Sequence, residues 1–157
     1  MPFSSTATSL LSAEVSIKVS STLDKSVGKK YLIDNNPETC WTSQQGLPQY
    51  IQLTFPTPVI PKTISITFQG GFVGRRCAIH TREPQTEDSS SKEQWKLFTN
   101  IYPEDVNRRQ SFDLNPQDDT LTLERGIESM KLTFEESSDF FGRITVYDLK
   151  LDGLVST

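Results

Sequence analysis

Apolar and polar residues alternate along most of this chain. Ala13 to Val19 reads A-E-V-S-I-K-V, Tyr50 to Phe55 reads Y-I-Q-L-T-F, and Thr63 to Phe68 reads T-I-S-I-T-F. The pattern returns at 95–102 (W-K-L-F-T-N-I-Y), 110–114 (Q-S-F-D-L), 120–123 (T-L-T-L), 130–134 (M-K-L-T-F) and 144–151 (I-T-V-Y-D-L-K-L). Successive side chains of a strand point to opposite faces, so a period of two gives each segment one apolar and one wet face. An apolar sheet face must be buried, and stacking a second sheet on it does this. These eight or so segments, with turn residues between them, predict an all-β protein, a sandwich or a jelly roll.

Helical periodicity is weak. K-S-V-G-K-K-Y-L-I at 25–33 is expected to form a turn or two, with Val27, Tyr31 and Leu32 inward. Gly28 weakens it and D-N-N-P at 34–37 stops it. Prolines at 56, 58 and 61 are expected in a connection, because proline cannot donate to a sheet ladder. The polar, acidic stretch 82–94 reads as an exposed loop and residues 1–10 as a flexible N-terminus, leaving 11–155 as a single domain. A chain of 157 residues can bury a core without a metal or disulfide.

The charge balance, 16 basic against 20 acidic residues, provides no general basic surface for nucleic acid or an anionic membrane. Cys40 and Cys77 are too few for a disulfide scaffold and too far apart for a zinc site. The opening M-P-F-S-S-T-A-T-S-L-L has neither the basic segment nor the apolar run of a secretory signal, and no stretch reaches 18 apolar residues. These features predict free thiols and an intracellular protein, in the nucleus, the cytoplasm or both, with no membrane association.

Catalytic chemistry finds little support. The single histidine, His80, stands three residues after Cys77, which in a strand puts the two on opposite faces. No nucleophile elbow, zinc-binding helix motif or phosphate loop is present, so the chain is not read as an enzyme. In D-N-N-P-E-T-C-W-T-S (34–43), Trp41 is expected to plug the core under a polar loop. The competing reading has Asp34, Asn36 and Thr39, with backbone carbonyls, ringing a calcium ion; calcium wants six to eight oxygens and this stretch alone supplies too few charged ones. No other cofactor is expected.

Two loop segments share one chemistry. F-Q-G-G-F-V-G-R-R-C (68–77) contributes Phe72, Arg75 and Arg76, and S-S-D-F-F-G-R-I (137–144) contributes Phe140, Phe141 and Arg143. Aromatic rings and guanidinium groups are the types that concentrate binding energy at interfaces. These six residues are therefore the candidate partner-binding set. Arg75 and Arg76 are expected to face opposite sides, with one inside, and one of Phe140 and Phe141 is expected to pack into the sandwich. The alternative is internal: Glu135, Glu136 and Asp139 pair with the arginines and brace the fold.

The segments L-I-D-N-N-P-E-T-C-W-T-S, Y-I-Q-L-T-F and F-G-R-I-T-V-Y-D-L-K-L-D-G together resemble the discoidin-like family, also known as coagulation factor type C or galactose-binding-like domains, over about Ala13 to Leu154. More narrowly, F-Q-G-G-F with R-R, I-Y-P-E-D and L-T-F-E-E-S-S-D-F-F-G-R resemble the intracellular branch of nuclear-receptor-associated proteins. The resemblance implies the eight-stranded jelly roll and a stand-alone nuclear adaptor or repressor of a nuclear receptor, with a role in transcription regulation. Extracellular relatives bind sugars or acidic lipids at loop tips and close their ends with a disulfide. This chain has no cysteine near either end, and its loop tips are expected to lack a run of exposed large apolar residues, so the lectin-like and membrane readings lose ground. Some relatives hold calcium near the positions of Asp34, Asn36 and Thr39, with a further carboxylate for which Asp139 and Asp148 are candidates. The chain is thus expected to be a non-catalytic protein–protein interaction module. The alternatives are a carbohydrate or small-ligand binding module and a structural subunit of a larger complex.

Overall fold

The computed structural model describes residues 3–84, 95–116 and 125–156. Nine strands lie among them: β1 (Thr8–Ser9), β2 (Ser16–Val19), β3 (Trp41–Thr42), β4 (Gln49–Phe68), β5 (Gly74–Arg82), β6 (Lys96–Ile101), β7 (Arg109–Asp113), β8 (Ile127–Ser137) and β9 (Thr145–Val155). All the ladders are antiparallel. The expected strand at 120–123 and residues 85–94 of the expected loop lie outside the described residues.

The nine observed strands do not map one to one onto the eight expected segments: β1, β3 and β5 were not among those segments, and two of the segments form one strand. Tyr50–Phe55 and Thr63–Phe68 are halves of one 20-residue strand, β4, that belongs to both sheets. Its first half lies between β2 (Ile51 opposite Val19) and β8 (Ile51 opposite Leu132). The second half lies between β7 (Ile64 opposite Phe112) and β9 (Ile64 opposite Leu151). One sheet therefore runs β2-β4-β8-β5-β6 and the other β7-β4-β9, with β1 and β3 both on the far side of β9. The prolines expected in a connection fall inside the strand but at the corner where it changes partners: Pro56 and Pro58 between the registers Thr54–Ser129 and Val59–Ile127, and Pro61 opposite Gly153, where the β4–β9 register shifts. Proline's missing donor costs little where the ladder is already broken.

Between the sheets lies one core. Ile51, Leu53, Ile64, Ile66 and Phe68 of β4 meet Met130, Leu132 and Phe134 of β8 and Val146, Leu149 and Leu151 of β9, all buried. Phe68 meets Phe134 edge-on, with ring centroids 5.7 Å apart, joining the sheets directly. Trp41 plugs the core as expected, and its indole N–H donates to the Ser21 carbonyl at 3.0 Å, which satisfies the one polar group the ring would otherwise bury unpaired. The helical signal becomes two short 3-10 turns, Lys25–Val27 and Lys29–Leu32, separated at Gly28, and of their residues only Leu32 is fully buried.

The N-terminal residues, expected to be flexible, run alongside β9 in their described part. Thr8 lies opposite Gly153, Phe3 bridges Ser156, and Leu10 is buried. Gly153 makes this packing possible. A methyl group there would collide with the Ile60 carbonyl oxygen and approach Leu10 Cδ1 to 2.8 Å and Pro61 Cα to 2.9 Å. Two of these obstacles are backbone atoms at the β4 corner, so relief requires separating strands. We expect Gly153→Ala to destabilise the fold by about 1–3 kcal/mol or more, read as a lower midpoint in urea unfolding; an unchanged midpoint would show that the corner has slack.

Candidate functional site

Four loops meet at one end of the sandwich, and they are joined by hydrogen bonds rather than merely adjacent. The β8–β9 loop closes on itself: Gly142 N–H donates to the Asp139 carbonyl (3.0 Å), Ser137 Oγ to the Arg143 carbonyl (2.7 Å), and Arg143 N–H to Asp139 Oδ2 (3.0 Å). The β4–β5 loop is tied to it, with Thr145 N–H donating to the Phe72 carbonyl (3.0 Å) and Ser138 N–H to the Val73 carbonyl (2.9 Å). Asp105 Oδ1, from the β6–β7 loop, accepts from both Gly71 N–H (2.8 Å) and Ser138 Oγ (3.2 Å). The β3–β4 loop completes the cluster: Gly46 N–H donates to the Phe141 carbonyl at 2.8 Å. Gly142 is required at this crossing. Its φ is +87°, and a side chain would press on the Gly46 backbone at 3.0 Å.

On this frame the two phenylalanines point outward. Phe140 is 94% exposed and Phe141 55%, with their rings edge-on at 5.2 Å. The expectation that one of them enters the sandwich is therefore corrected. The β8–β9 loop turns outside the sheet, and the sandwich end beneath it is already filled by Ile144 and Val146. A phenylalanine left in water forgoes about 1.5–3 kcal/mol of burial. Leu47 of the β3–β4 loop (43% exposed) and Leu23 (47%) add to the apolar surface. Leu47 follows Gly46, which bonds Phe141, and Leu23 N–H donates to the Thr42 carbonyl at 2.8 Å. Thus the loop tips do carry exposed large apolar residues, contrary to expectation. The sequence signal for Leu47 was an apolar residue set between turn formers in Q-Q-G-L-P.

The arginines divide. Arg143 sits over Phe72, 5.2 Å from the ring centroid, and its Nε donates to Asp139 Oδ2 at 3.2 Å. Burial pushes the Asp139 carboxyl up, but the Arg143 side chain, backbone N–H and charge together hold it below its ordinary value. Arg76 pairs with Glu135 at 3.3 Å and with Glu136 at 3.8 Å across the β5–β8 ladder. Both contacts are the bracing pairs foreseen as the internal alternative. Arg75 and Arg76 do not face opposite sides with one inside; both are exposed, because the β5–β8 register shifts on either side of Arg76. Arg75 has no ion pair among the described residues.

Asp34, Asn36 and Thr39 are brought together in one loop, but they serve one another. Asp34 Oδ2 accepts from Thr39 Oγ1 (2.6 Å) and Oδ1 from Asn36 N–H (3.1 Å), while Asn36 Oδ1 accepts from Glu38 N–H (3.0 Å). Of the two further carboxylates, Asp139 is bound to Arg143, and Asp148 lies 3.7 Å from Lys150 Nζ. No group of three His, Cys, Asp or Glu side chains suited to a metal occurs among the described residues. The Asp34 carboxylate is thus already engaged by its own loop. Cys77 and His80 also behave as their spacing predicts. Cys77 is buried in the core with its thiol pushed up by burial, and His80 faces outward, with its pKa lowered by burial and by Lys131.

A second feature, which no motif announces, is a polar cleft of about 540 Å³ on the outer face of the second sheet. Its floor is Thr67, Asp148 and Tyr147, and its walls come from residues 35–38 and from Asn107 and Arg109. The residues are far apart in sequence and meet only through strand register, Arg109 and Asp148 both lying opposite Thr67.

No helix among the described residues is long and apolar enough to cross a membrane. No domain-family model matches the chain. Among solved structures it is similar to the family 32 carbohydrate-binding module of Clostridium perfringens NanJ in complex with galactose, at 18% identity and a TM-score of 0.68, covering 94% of this chain and 99% of that one. It is also similar to an F5/8 type C domain from Bacteroides fragilis, at 13% identity and a TM-score of 0.71, covering 98% and 100%. At such identities the likeness speaks to the fold alone, the discoidin-like sandwich. Sequence likeness is closer: 41% identity over 150 residues to nuclear receptor 2C2-associated protein of Danio rerio, covering 94% of this chain and 96% of that protein. The Homo sapiens protein of the same name is 35% identical over 148 residues, covering 92% and 96%. The chain belongs to the nuclear receptor 2C2-associated protein family.

Proposed function

We propose that this protein is a non-catalytic interaction module that acts in the nucleus or cytoplasm and docks a protein partner on its four-loop end. The observation that carries this reading is the outward pair Phe140 and Phe141 on a loop fixed by hydrogen bonds to its neighbours. Rings left in water cost the isolated fold burial energy, and a partner that covers them recovers it. Because the loop is already ordered, binding loses little backbone freedom. Leu47 extends the apolar centre, and Arg75, unpaired among the described residues, offers a bidentate donor at its edge. The family name supports a nuclear receptor as the partner class and an adaptor or regulatory role.

Arg143 is assigned to holding the tip, through Asp139 and Phe72, rather than to the contact itself. The two roles separate experimentally. Changing Phe140 and Phe141 together to serine leaves the unfolding midpoint nearly unchanged and weakens binding to a nuclear receptor 2C2 by about 30-fold or more, the scale of a hot spot of at least 2 kcal/mol. Calorimetry and co-precipitation read this, and undiminished binding by the double variant overturns the assignment. Arg143→Ala lowers stability instead, with a pH signature. Asp139's folded pKa lies below its unfolded value of about 3.9, so its contribution is complete above that pH and is lost as pH falls through the folded value. The stability gap between unaltered chain and variant is accordingly full at pH 7 and closes in acid; a gap independent of pH would remove Asp139 from the account.

A further inference from the structure

The polar cleft on the outer face of the second sheet touches the loop end through Asn107 of the β6–β7 loop, but none of Phe140, Phe141, Leu47 and Arg75 lines it. Its geometry follows from register. Arg109 of β7, Thr67 of β4 and Asp148 of β9 stand in one row across three strands. Opposed residues of a ladder share a face, so all three project from the outer surface. Tyr147 joins them because the β4–β9 register slips between Thr67 and Phe68, leaving Tyr147 as the extra residue of a bulge. Its neighbours Val146 and Leu149 keep their places in the core. Beyond β9, residues 35–38 form the far wall, fastened by Lys150 Nζ donating to Asn35 Oδ1 at 3.1 Å.

The charges of the cleft are not all settled. Lys150 and Asp148 compensate each other at 3.7 Å. Arg109 on one wall and Glu38 on the other line the same cleft, and neither has an ion pair among the described residues. Strand spacing of about 4.8 Å puts the β7 and β9 backbones about 10 Å apart, with the Glu38 loop beyond them. A guanidinium and a carboxylate are thus held on opposite sides of a cleft whose floor has an aromatic ring and hydroxyl groups. An anion alone would leave Glu38 facing it unfavourably, and a cation alone would do the same with Arg109. A ligand of both signs, with its charges separated along its length, satisfies the two walls together. A free amino acid carries its two charges on one carbon, too close to reach both. An extended polypeptide advances about 3.3–3.6 Å per residue, so opposite charges two or three residues apart span roughly 7–10 Å.

We propose that this cleft is a second binding subsite, for an extended peptide segment whose carboxylate side chain meets Arg109 and whose cationic side chain meets Glu38, with Tyr147 beneath the chain between them. The subsite is independent of the Phe140–Phe141 tip, so a partner could engage either alone.

The test uses capped hexapeptides, free of terminal charge, with one Glu and one Lys separated by one, two or three threonines, in both orders. These are titrated into the intact chain and followed by NMR, beside galactose as a neutral hydroxyl-rich probe. Peptides of one order should bind with millimolar or better affinity and shift the Tyr147 ring resonances. Glu38→Gln and Arg109→Gln should each weaken binding tenfold or more, and both are exposed positions whose change leaves the fold intact. The exchange Glu38→Arg with Arg109→Glu should bind peptides of the opposite order. The Phe140 and Phe141 serine variant should bind them as the unaltered chain does. Absence of binding by every peptide overturns the proposal, as does undiminished binding by either glutamine variant. Binding of galactose without the peptides assigns the cleft to a neutral ligand and overturns it equally.

Discussion

The double membership of β4 is the constraint on which the rest of the structure depends. A single strand of 20 residues supplies the middle of one sheet with its first half and the middle of the other with its second. The sheets cannot shift relative to each other without breaking this strand or its corner. That fixes where β8 ends and β9 begins, and therefore where the β8–β9 loop leaves the sandwich. The corner is crowded, with the Ile60 carbonyl and Pro61 packed against Gly153 of β9, so the strand ends there are fixed by backbone contact as well as by the core. Register then propagates outward: the same β4 residues that face the core set Thr67 on the outer face, between Arg109 and Asp148.

Rigidity at the loop end has a different origin. There the chain has left the sheets, and polar side chains replace ladders. Ser43 accepts from Ile144 N–H, Ser138 from Val73 N–H, and Asp105 from Gly71 N–H. Gln49, buried at the start of β4, accepts from Ser20 and Ser21 and donates to the Gly46 carbonyl, linking two more loops. Each of these side chains satisfies a group that would otherwise be stranded at the sandwich end. The outcome is a tip whose backbone is specified almost residue by residue while its largest side chains are left outside. That combination suits recognition, because the conformational entropy of the loop is lost on folding and not again on binding.

The alternation of apolar and polar residues made the fold class legible, since a period of two dictates which face is buried wherever a strand lies on a core. It correctly placed Ile64, Ile66 and Phe68 together, and the same rule correctly separated Cys77 from His80. It could not show that two segments were one strand, because prolines read as breaks whether the ladder ends or only changes partners. Nor could it place β1 and β3, each two residues long and dependent on β9. At the site, sequence reasoning gathered Phe72, Arg143, Phe140 and Phe141 at one end, which the Thr145–Phe72 hydrogen bond and the ring contacts bear out as geometry. It misjudged which way the side chains turn. Arg75 and Arg76 are adjacent, and a bulge overrides alternation just there. The polar cleft was beyond reach for the same reason: Arg109, Thr67 and Asp148 are neighbours only through a register that no local pattern encodes.

The fold and the family point to different scales of inference. Discoidin-like sandwiches that share under a fifth of their residues with this chain still superpose over nearly all of it, so the fold tolerates wide change of sequence. What such a scaffold does must then be carried by the residues it does not need. Phe140 is the clearest example: it contributes no burial to the sandwich, and an isolated domain would lose little if it were serine. Arg143 is the contrary case, a residue of interface type whose charge is already engaged by Asp139 and whose plane is occupied by Phe72. Residue type alone would rank the two equally as contacts. Their hydrogen-bond partners and exposure separate them: Arg143 is held by Asp139 and Phe72, whereas Phe140, standing in water, meets the neighbouring ring of Phe141.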